Sequence, residues 1–202
     1  MQVKELPILM SAPMVRAILA GTKTQTRRVI KPAPQMVTDK AIKPWHGDAS
    51  TLLRLLEQTG KACPYGQPGD RLWVRETWST HACFDHLPPN ECPKSIHYWA
   101  DGKVQTGKGR PSIHMPRWAS RITLEISGVH VERLQAISEA DAQAEGCAYS
   151  ERFRGYCVGE AEHFNSHDPR QSFFSLWAAI NGAGSVDANP WVWVVAFKRV
   201  AS

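Results

Sequence analysis

Hydrophobic positions along the chain fall into short runs with two different periods, separated by turn residues. Residues 6–10, Leu-Pro-Ile-Leu-Met, read as a short buried strand. Ser11 then caps a predicted helix, with Pro13 near its first position, where a missing N–H costs nothing. Met14, Val15, Ile18 and Leu19 repeat along it at helical spacing. Gly21 supplies a left-handed stop. Residues 22–30 are rich in β-branched side chains and read as extended. Five prolines punctuate residues 32–68, where only 51–58 looks helical, so this stretch reads as an excursion from the core. A strand is predicted over 71–78. A second excursion covers 79–111, with a hairpin at 98–103 on the strength of Asp101-Gly102. Residues 121–133 form a long strand candidate, its first half alternating Ile122, Leu124 and Ile126 with Thr123, Glu125 and Ser127. Ser138 and Asp141 resemble a capping box opening a helix over 139–145, which Gly146 closes. Residues 148–167 look irregular and polar. Asp168-Pro169 starts another helix, with Phe173, Phe174, Leu176, Trp177 and Ile180 apolar, and Asn181-Gly182 stops it. Residues 191–200 read as a closing strand, apolar enough to be central.

Strands interleaved with a few unevenly spaced helices argue against a regular doubly wound sheet. The expected fold class is α+β: a small, mostly antiparallel β-barrel with flanking short helices and long inserted segments. A chain of 202 residues suits one domain. With 43% hydrophobic and 21% charged residues it lies in the ordinary globular range. No apolar run is long enough to cross a bilayer, and the opening residues lack a secretory pattern. A cytoplasmic location with no membrane partner is therefore expected. The five cysteines are odd in number and lack Cys-x-x-Cys spacing, which fits reduced thiols. The net charge of +5 is uneven: residues 1–78 hold 12 Lys and Arg against 6 Asp and Glu, and residues 136–202 hold 5 against 8. A basic first third suits a polyanion or a phosphate-bearing substrate.

The densest chemistry lies in Gly21-Thr22-Lys23-Thr24-Gln25-Thr26-Arg27-Arg28, directly after a predicted helix. Lys23 and Thr26 point to opposite faces of a straight strand, so joint action requires a bend between them. Burial beside arginines favours the neutral amine of Lys23, which can act as a base, and a threonine hydroxyl beside a base is a nucleophile. The alternative is a basic strand with threonines on a wet face. Glu145 is a second oddity, because a helix C-terminus favours cations over carboxylates. A carboxylate kept there suits acid/base work if it faces a pocket, and a tolerated surface charge if it does not. Glu76 reads as an arginine partner that organises the basic cluster, in a structural ion pair rather than a catalytic role. His114, Arg117 and Trp118 lie close enough together to stack on and hydrogen-bond a base, or to form a packed loop. His81, Cys83, His86 and Cys92 match no common zinc spacing, so no metal is expected. The chain lacks a Gly-rich phosphate loop, His-Glu-x-x-His and Gly-x-Ser-x-Gly, which argues against ATPases, zincin proteases and serine hydrolases.

The run from Gly21 to Arg28 resembles the Gly-x-Lys-x-x-(Thr/Glu)-x-Arg signature of ASCH domains, which have a PUA-like fold. Gly69-Asp70-Arg71-Leu72-Trp73-Val74 is similar to that family's Gly-Asp-x-Leu-x-Val strand. Val131-Glu132-Arg133-Leu134 through Glu145-Gly146 looks like its strand and short helix, and residues 191–200 like its closing strand. The resemblance is to the larger bacterial and phage members. It implies a single domain over 1–202, with insertions at 32–66, 79–113 and 148–168. Some compact members are amidohydrolases that convert N4-acetylcytidine to cytidine and acetate without a cofactor. Carried over by motif, the catalytic residues are Lys23 as base, Thr26 (or a water it positions) as nucleophile, and Glu145 as proton shuttle. Arg27, Arg28, Glu76, His114, Arg117 and Trp118 complete the expected substrate-binding set, with Arg28 at the signature arginine. The implied partner is a modified nucleoside or nucleotide. The rival reading is a non-catalytic module holding single-stranded RNA in a basic cleft, or a ribonuclease.

Overall fold

The computed structural model describes residues 2–38, 41–93, 95–102, 107–158 and 166–200. In chain order the elements are β1 (Glu5–Leu9), α1 (Ala12–Leu19), β2 (Gln25–Val29), β3 (Gln35–Thr38), β4 (Ala41–Pro44), α2 (Ala49–Gln58), β5 (Arg71–Arg75), β6 (Trp78–Ser79), β7 (His97–Tyr98), β8 (Thr123–Arg133), α3 (Glu139–Ala144), β9 (Cys147–Ser150), β10 (Gly155–Val158), α4 (Pro169–Asn181) and β11 (Trp191–Arg199). Five strands make one sheet in the order β1-β5-β8-β11-β2, antiparallel throughout except for the parallel β1–β5 pair. The protein is thus a mixed α+β fold on a mostly antiparallel sheet. Among the described residues the sheet is open, and no ladder joins β2 back to β1. One side-chain hydrogen bond links these two edges, from Arg28 Nη2 to the Leu9 carbonyl at 2.7 Å.

Both faces of the sheet are covered. Val15 and Ile18 of α1 and Leu52 and Leu56 of α2 pack on one face against Trp193 and Val195. Ala142 of α3 and Phe173 and Trp177 of α4 pack on the other against Val192 and Val194. Strand β11 therefore buries consecutive side chains on alternate faces, which is why its sequence is a continuous apolar run. Strand β8 changes phase midway. Ile122, Leu124 and Ile126 are buried, and after them Val131 is. The register against β11 shifts between Ala196 and Phe197, which leaves Ser127 as the extra residue of a β-bulge. An inserted residue moves every later side chain to the opposite face, so the clean alternation predicted for this strand stops there.

Local chemistry sets most boundaries where they were expected. Gly21 is left-handed, with φ of 78°. Ser138 accepts from the Asp141 N–H, and Asp168 accepts from Arg170 at the start of α4. Three expectations need correction. Strand β1 is a sheet edge in which only Ile8 is buried, because α1 covers one face and β5 pairs one side. Residues 147–158 are an antiparallel hairpin rather than irregular chain, since Cys147, Cys157 and Val158 bury against α4 and its neighbours. The Asp101-Gly102 turn exists, with Gly102 left-handed after a 3-10 turn over Trp99–Asp101. However, β7 pairs with β6, and residues 103–106 lie outside the described residues. Trp78 anchors a separate small cluster with Cys92, Met115 and Ala119. No helix among the described residues is long and apolar enough to cross a membrane.

Leu124 has no exposed surface and Ile42 is 66% exposed. Leu124→Ala is expected to lower unfolding stability by about 2–5 kcal/mol, and Ile42→Ala to change it by less than about 0.5 kcal/mol. Urea denaturation of the two variants beside wild type checks both.

Candidate functional site

The turn after α1 delivers Lys23 to the end of α3. The Thr22 and Lys23 N–H groups both donate to the Ala17 carbonyl, and Thr24 N–H donates to the Ala144 carbonyl at 2.8 Å. Lys23 forms an isolated antiparallel bridge with Glu145, two residues before β2 begins at Gln25. Lys23 and Arg27 thus meet on Glu145, whereas Thr26 pairs with Val195 of the other face of the sheet, and no bend brings it to Lys23. Gly146 permits the close approach of Lys23. Its φ is 101°, and a Cβ there would lie 3.2 Å from Ala17 Cβ and 3.5 Å from Lys23 Cβ. An L-residue would be strained by the backbone angle and crowded as well.

Lys23, Thr26, Arg27 and Glu145 are all buried. Lys23 Nζ donates to Glu145 Oε2 at 2.7 Å and to the Glu145 carbonyl at 2.9 Å. Arg27 Nη1 donates to Glu145 Oε1 at 3.1 Å, and Arg27 Nε donates to Glu132 Oε1 at 2.7 Å. Gln25 Nε2 bonds both the backbone and side-chain oxygens of Asp141, and Arg27 Nη2 lies 3.6 Å from Asp141 Oδ2. That last separation is an ion-pair contact but too long for a hydrogen bond, which leaves Arg27 Nη2 buried and without a hydrogen-bond partner.

One carboxylate therefore serves two buried cations. Burial pushes the Lys23 amine well below its ordinary value, Glu145 opposes this, and Arg28 adds to it. The lowering prevails because desolvation is the largest of these effects. An arginine stays protonated in proteins, so the lysine is the member of the cluster that can release its proton. Cys147, close to both, is no rival nucleophile: burial pushes its thiol up to about 12, so it remains a thiol.

A cavity of about 70 Å³ opens beside the cluster, between β2, α1 and α4. Thr26, Arg27, Arg28, Glu145 and Asn181 supply its polar wall, and Met14, Val29, Phe173, Leu176, Trp177 and Ile180 its apolar wall. Two guanidinium donors on this wall, Arg27 Nη2 and Arg28 Nε, are buried with no hydrogen-bond partner. Such donors are costly unless something accepts from them. An apolar cavity of about 150 Å³ holds benzene, so one half that size takes a group of a few heavy atoms.

Four of the expected binding residues lie elsewhere. Glu76 is 1% exposed and is held by Arg121 through bonds of 2.9 and 3.1 Å. Arg121 also meets Asp101 at 2.7 Å and lies 3.9 Å over the Tyr98 ring. Burial raises the Glu76 carboxyl, against the pull of Arg121. Glu76 is thus part of a structural ion pair and does not organise the Lys23 cluster. His114, Arg117 and Trp118 sit on 3-10 turns over Ser112–His114 and Arg117–Ala119 and do not line the cavity. Arg117 pairs with Glu5 at 3.1 Å, and Trp118 packs edge-on against Trp78 with ring centroids 6.0 Å apart. The β1–β5 side of the sheet carries this segment, whereas the cavity borders β2. His81 Nδ1 lies 3.2 Å from Cys83 Sγ, and no group of three metal-ligating side chains converges among the described residues. None of the five cysteines forms a disulfide. Sequence reasoning missed Glu132 and Asp141 as partners of Arg27 and the α4 wall of the cavity. The apolar stripe of α4 was visible, but nothing local tied it to Thr26.

The lysine yields a pH test. In the unfolded chain Lys23 titrates near 10.5, and in the folded protein lower. Between the two values the unfolded chain binds more protons, so raising the pH favours the folded state. The stability of wild type relative to Lys23→Met is expected to rise as the pH climbs toward 10.5. Denaturant titrations at a series of pH values measure this difference, and a flat difference contradicts the lowered lysine.

No known family model and no curated protein matches this sequence. Among solved structures, it is similar to the crystal structure of a protein from Enterococcus faecalis V583 assigned to DUF984, at 12% identity and a TM-score of 0.41, over 99% of this chain and 82% of that one.

Proposed function

We propose that this protein is an amidohydrolase that removes a short acyl group from the amide nitrogen of a modified nucleoside or nucleotide. The reference reaction is N4-acetylcytidine to cytidine and acetate. The supporting observation is the cavity itself: a threonine hydroxyl and two unpartnered guanidinium donors share a wall with the carboxylate that holds a buried, proton-releasing lysine. Its volume admits an acetyl-sized group and leaves the base outside. The reading carries with it a kinship to PUA-like barrels of the ASCH family, on the motif from Gly21 to Arg28.

In this mechanism Thr26 Oγ attacks the acyl carbon while the free amine of Lys23 takes the hydroxyl proton. Among the described residues Thr26 makes no hydrogen bond to Lys23, and in this mechanism water relays the proton between them. The developing oxyanion accepts from Arg27 Nη2 and Arg28 Nε, neither of which has a hydrogen-bond partner among the described residues. The C–N bond breaks as the proton on Lys23 moves to the departing amine, and Glu145 stabilises the ammonium in between. Water then cleaves the threonyl ester by the reverse path, releasing the acid. No step calls for a cofactor.

The second reading, a module for single-stranded RNA, rests on Trp118 and His114, which stand exposed beside Arg117 away from the cavity. Aromatic and cationic side chains so placed suit unstacked bases.

Wild type is expected to release cytidine from N4-acetylcytidine, followed by chromatography and mass spectrometry. Lys23→Ala and Thr26→Ala should each lower kcat by roughly 10²-fold or more, with circular dichroism confirming the fold. Because the Lys23 value is lowered, kcat/KM should rise with pH along a limb centred below 10.5 and then level off. Turnover retained in both variants excludes the mechanism. Absence of turnover in folded wild type, together with RNA binding that weakens steeply with salt, favours the second reading.

A further inference from the structure

A second and larger void lies on the opposite face of the edge strand β2. Its volume is about 690 Å³, within the range of about 300–1,000 Å³ typical of small-molecule sites. Ile30, Leu52, Leu56 and Trp193 form its floor, and all four belong to the main core, so the floor is preformed. Val29 borders both voids but packs with the α4 cluster, whereas Ile30 packs with the α2 cluster. The groove is therefore distinct from the Thr26 cavity and does not depend on the hydrolase reading.

Its walls have a specific chemistry. Trp45 and Tyr65 present half-buried flat rings. The Trp45 carbonyl accepts from Arg133 Nη2 at 2.8 Å and Trp191 Nε1 at 3.2 Å, which fixes that residue from behind. Gly47 lies against the indole so closely that a Cβ there would fall 2.5 Å from the ring. Lys31 and Lys61 stand at the rim, both exposed, and neither has an ion pair or side-chain hydrogen bond among the described residues. Among the described residues no Asp or Glu lines the groove. Two free cations with no counter-charge select an anion, and ammonium groups are effective phosphate ligands. The rings and the apolar floor select a flat, largely apolar body, and the volume fits a body of one nucleoside rather than inorganic phosphate alone.

We propose that this groove binds a nucleoside monophosphate, with the base against Trp45 and Tyr65 and the phosphate on Lys31 and Lys61. Isothermal titration calorimetry on the full chain at low salt tests it, with adenosine and cytidine 5′-monophosphates, the two nucleosides, hexyl phosphate and inorganic phosphate as probes. At least one monophosphate should bind roughly tenfold or more tightly than its nucleoside, hexyl phosphate or inorganic phosphate. The double variant Lys31→Ala/Lys61→Ala should weaken it by roughly tenfold or more. Leu55→Glu, which sets a carboxylate on the groove wall at an exposed helix position, should abolish it. Both variants change surface side chains, and unchanged melting temperatures verify their folds. Three results would each overturn the site: no binding of either monophosphate, binding that both variants leave intact, or hexyl phosphate binding as tightly. The readout is binding rather than turnover, so its failure and that of the hydrolase reading are separable.

Discussion

Glu145 ends the short helix α3 with a buried carboxylate on which two buried cations depend. Lys23 takes one oxygen and Arg27 the other. These contacts join the start of β2 to the end of α3, and Arg27 extends the link to Glu132 on β8. Taking charges out of water is expensive, and the cost is offset only when each finds close, well-directed partners. Removing any one member strands another. The positions of α1, β2 and α3 are thus tied to a single electrostatic arrangement, and the cavity beside it inherits their geometry.

The arrangement also divides labour between like charges. Arg27 keeps its proton under all ordinary conditions, so it fixes the carboxylate in place. Lys23 is held by the same carboxylate without being fully neutralised by it, and burial leaves its proton loosely bound. A structural ion pair alone would be served as well by two arginines. Replacing one of them with a lysine gives the cluster a member whose proton burial loosens.

The long segments between motifs are built into the molecule. Leu52 and Leu56 of α2 enter the main core, and residues 147–158 pack as a hairpin against α4. The groove on the α2 face exists because this segment folds back over Ile30 and Trp193. The two voids are kept apart by one edge strand whose successive side chains, Val29 and Ile30, point to different faces, a consequence of the two-residue period of a strand.

Much of this was legible in the chain, wherever neighbours in sequence decide the outcome. Gly21 as a left-handed stop, Ser138 and Asp168 as caps, and the alternation up to Ile126 all follow from contacts within a few residues. Glu145 stood out for the same reason: a carboxylate at a helix C-terminus conflicts with its own local field. Distant pairings were not legible. That Arg27 rather than Arg28 grips Glu145 depends on partners 118 residues apart, and its bond to Glu132 spans 105. Those meetings depend on sheet order and register, and the bulge at Ser127 shifts that register partway along β8. The same dependence sent His114, Arg117 and Trp118 to another part of the molecule, although their residue types suited the site. Sequence alone determined which elements form and which side chains are out of place locally. Tertiary structure decided which of them meet, because a side chain's face and partners are set by strand pairing across the whole sheet.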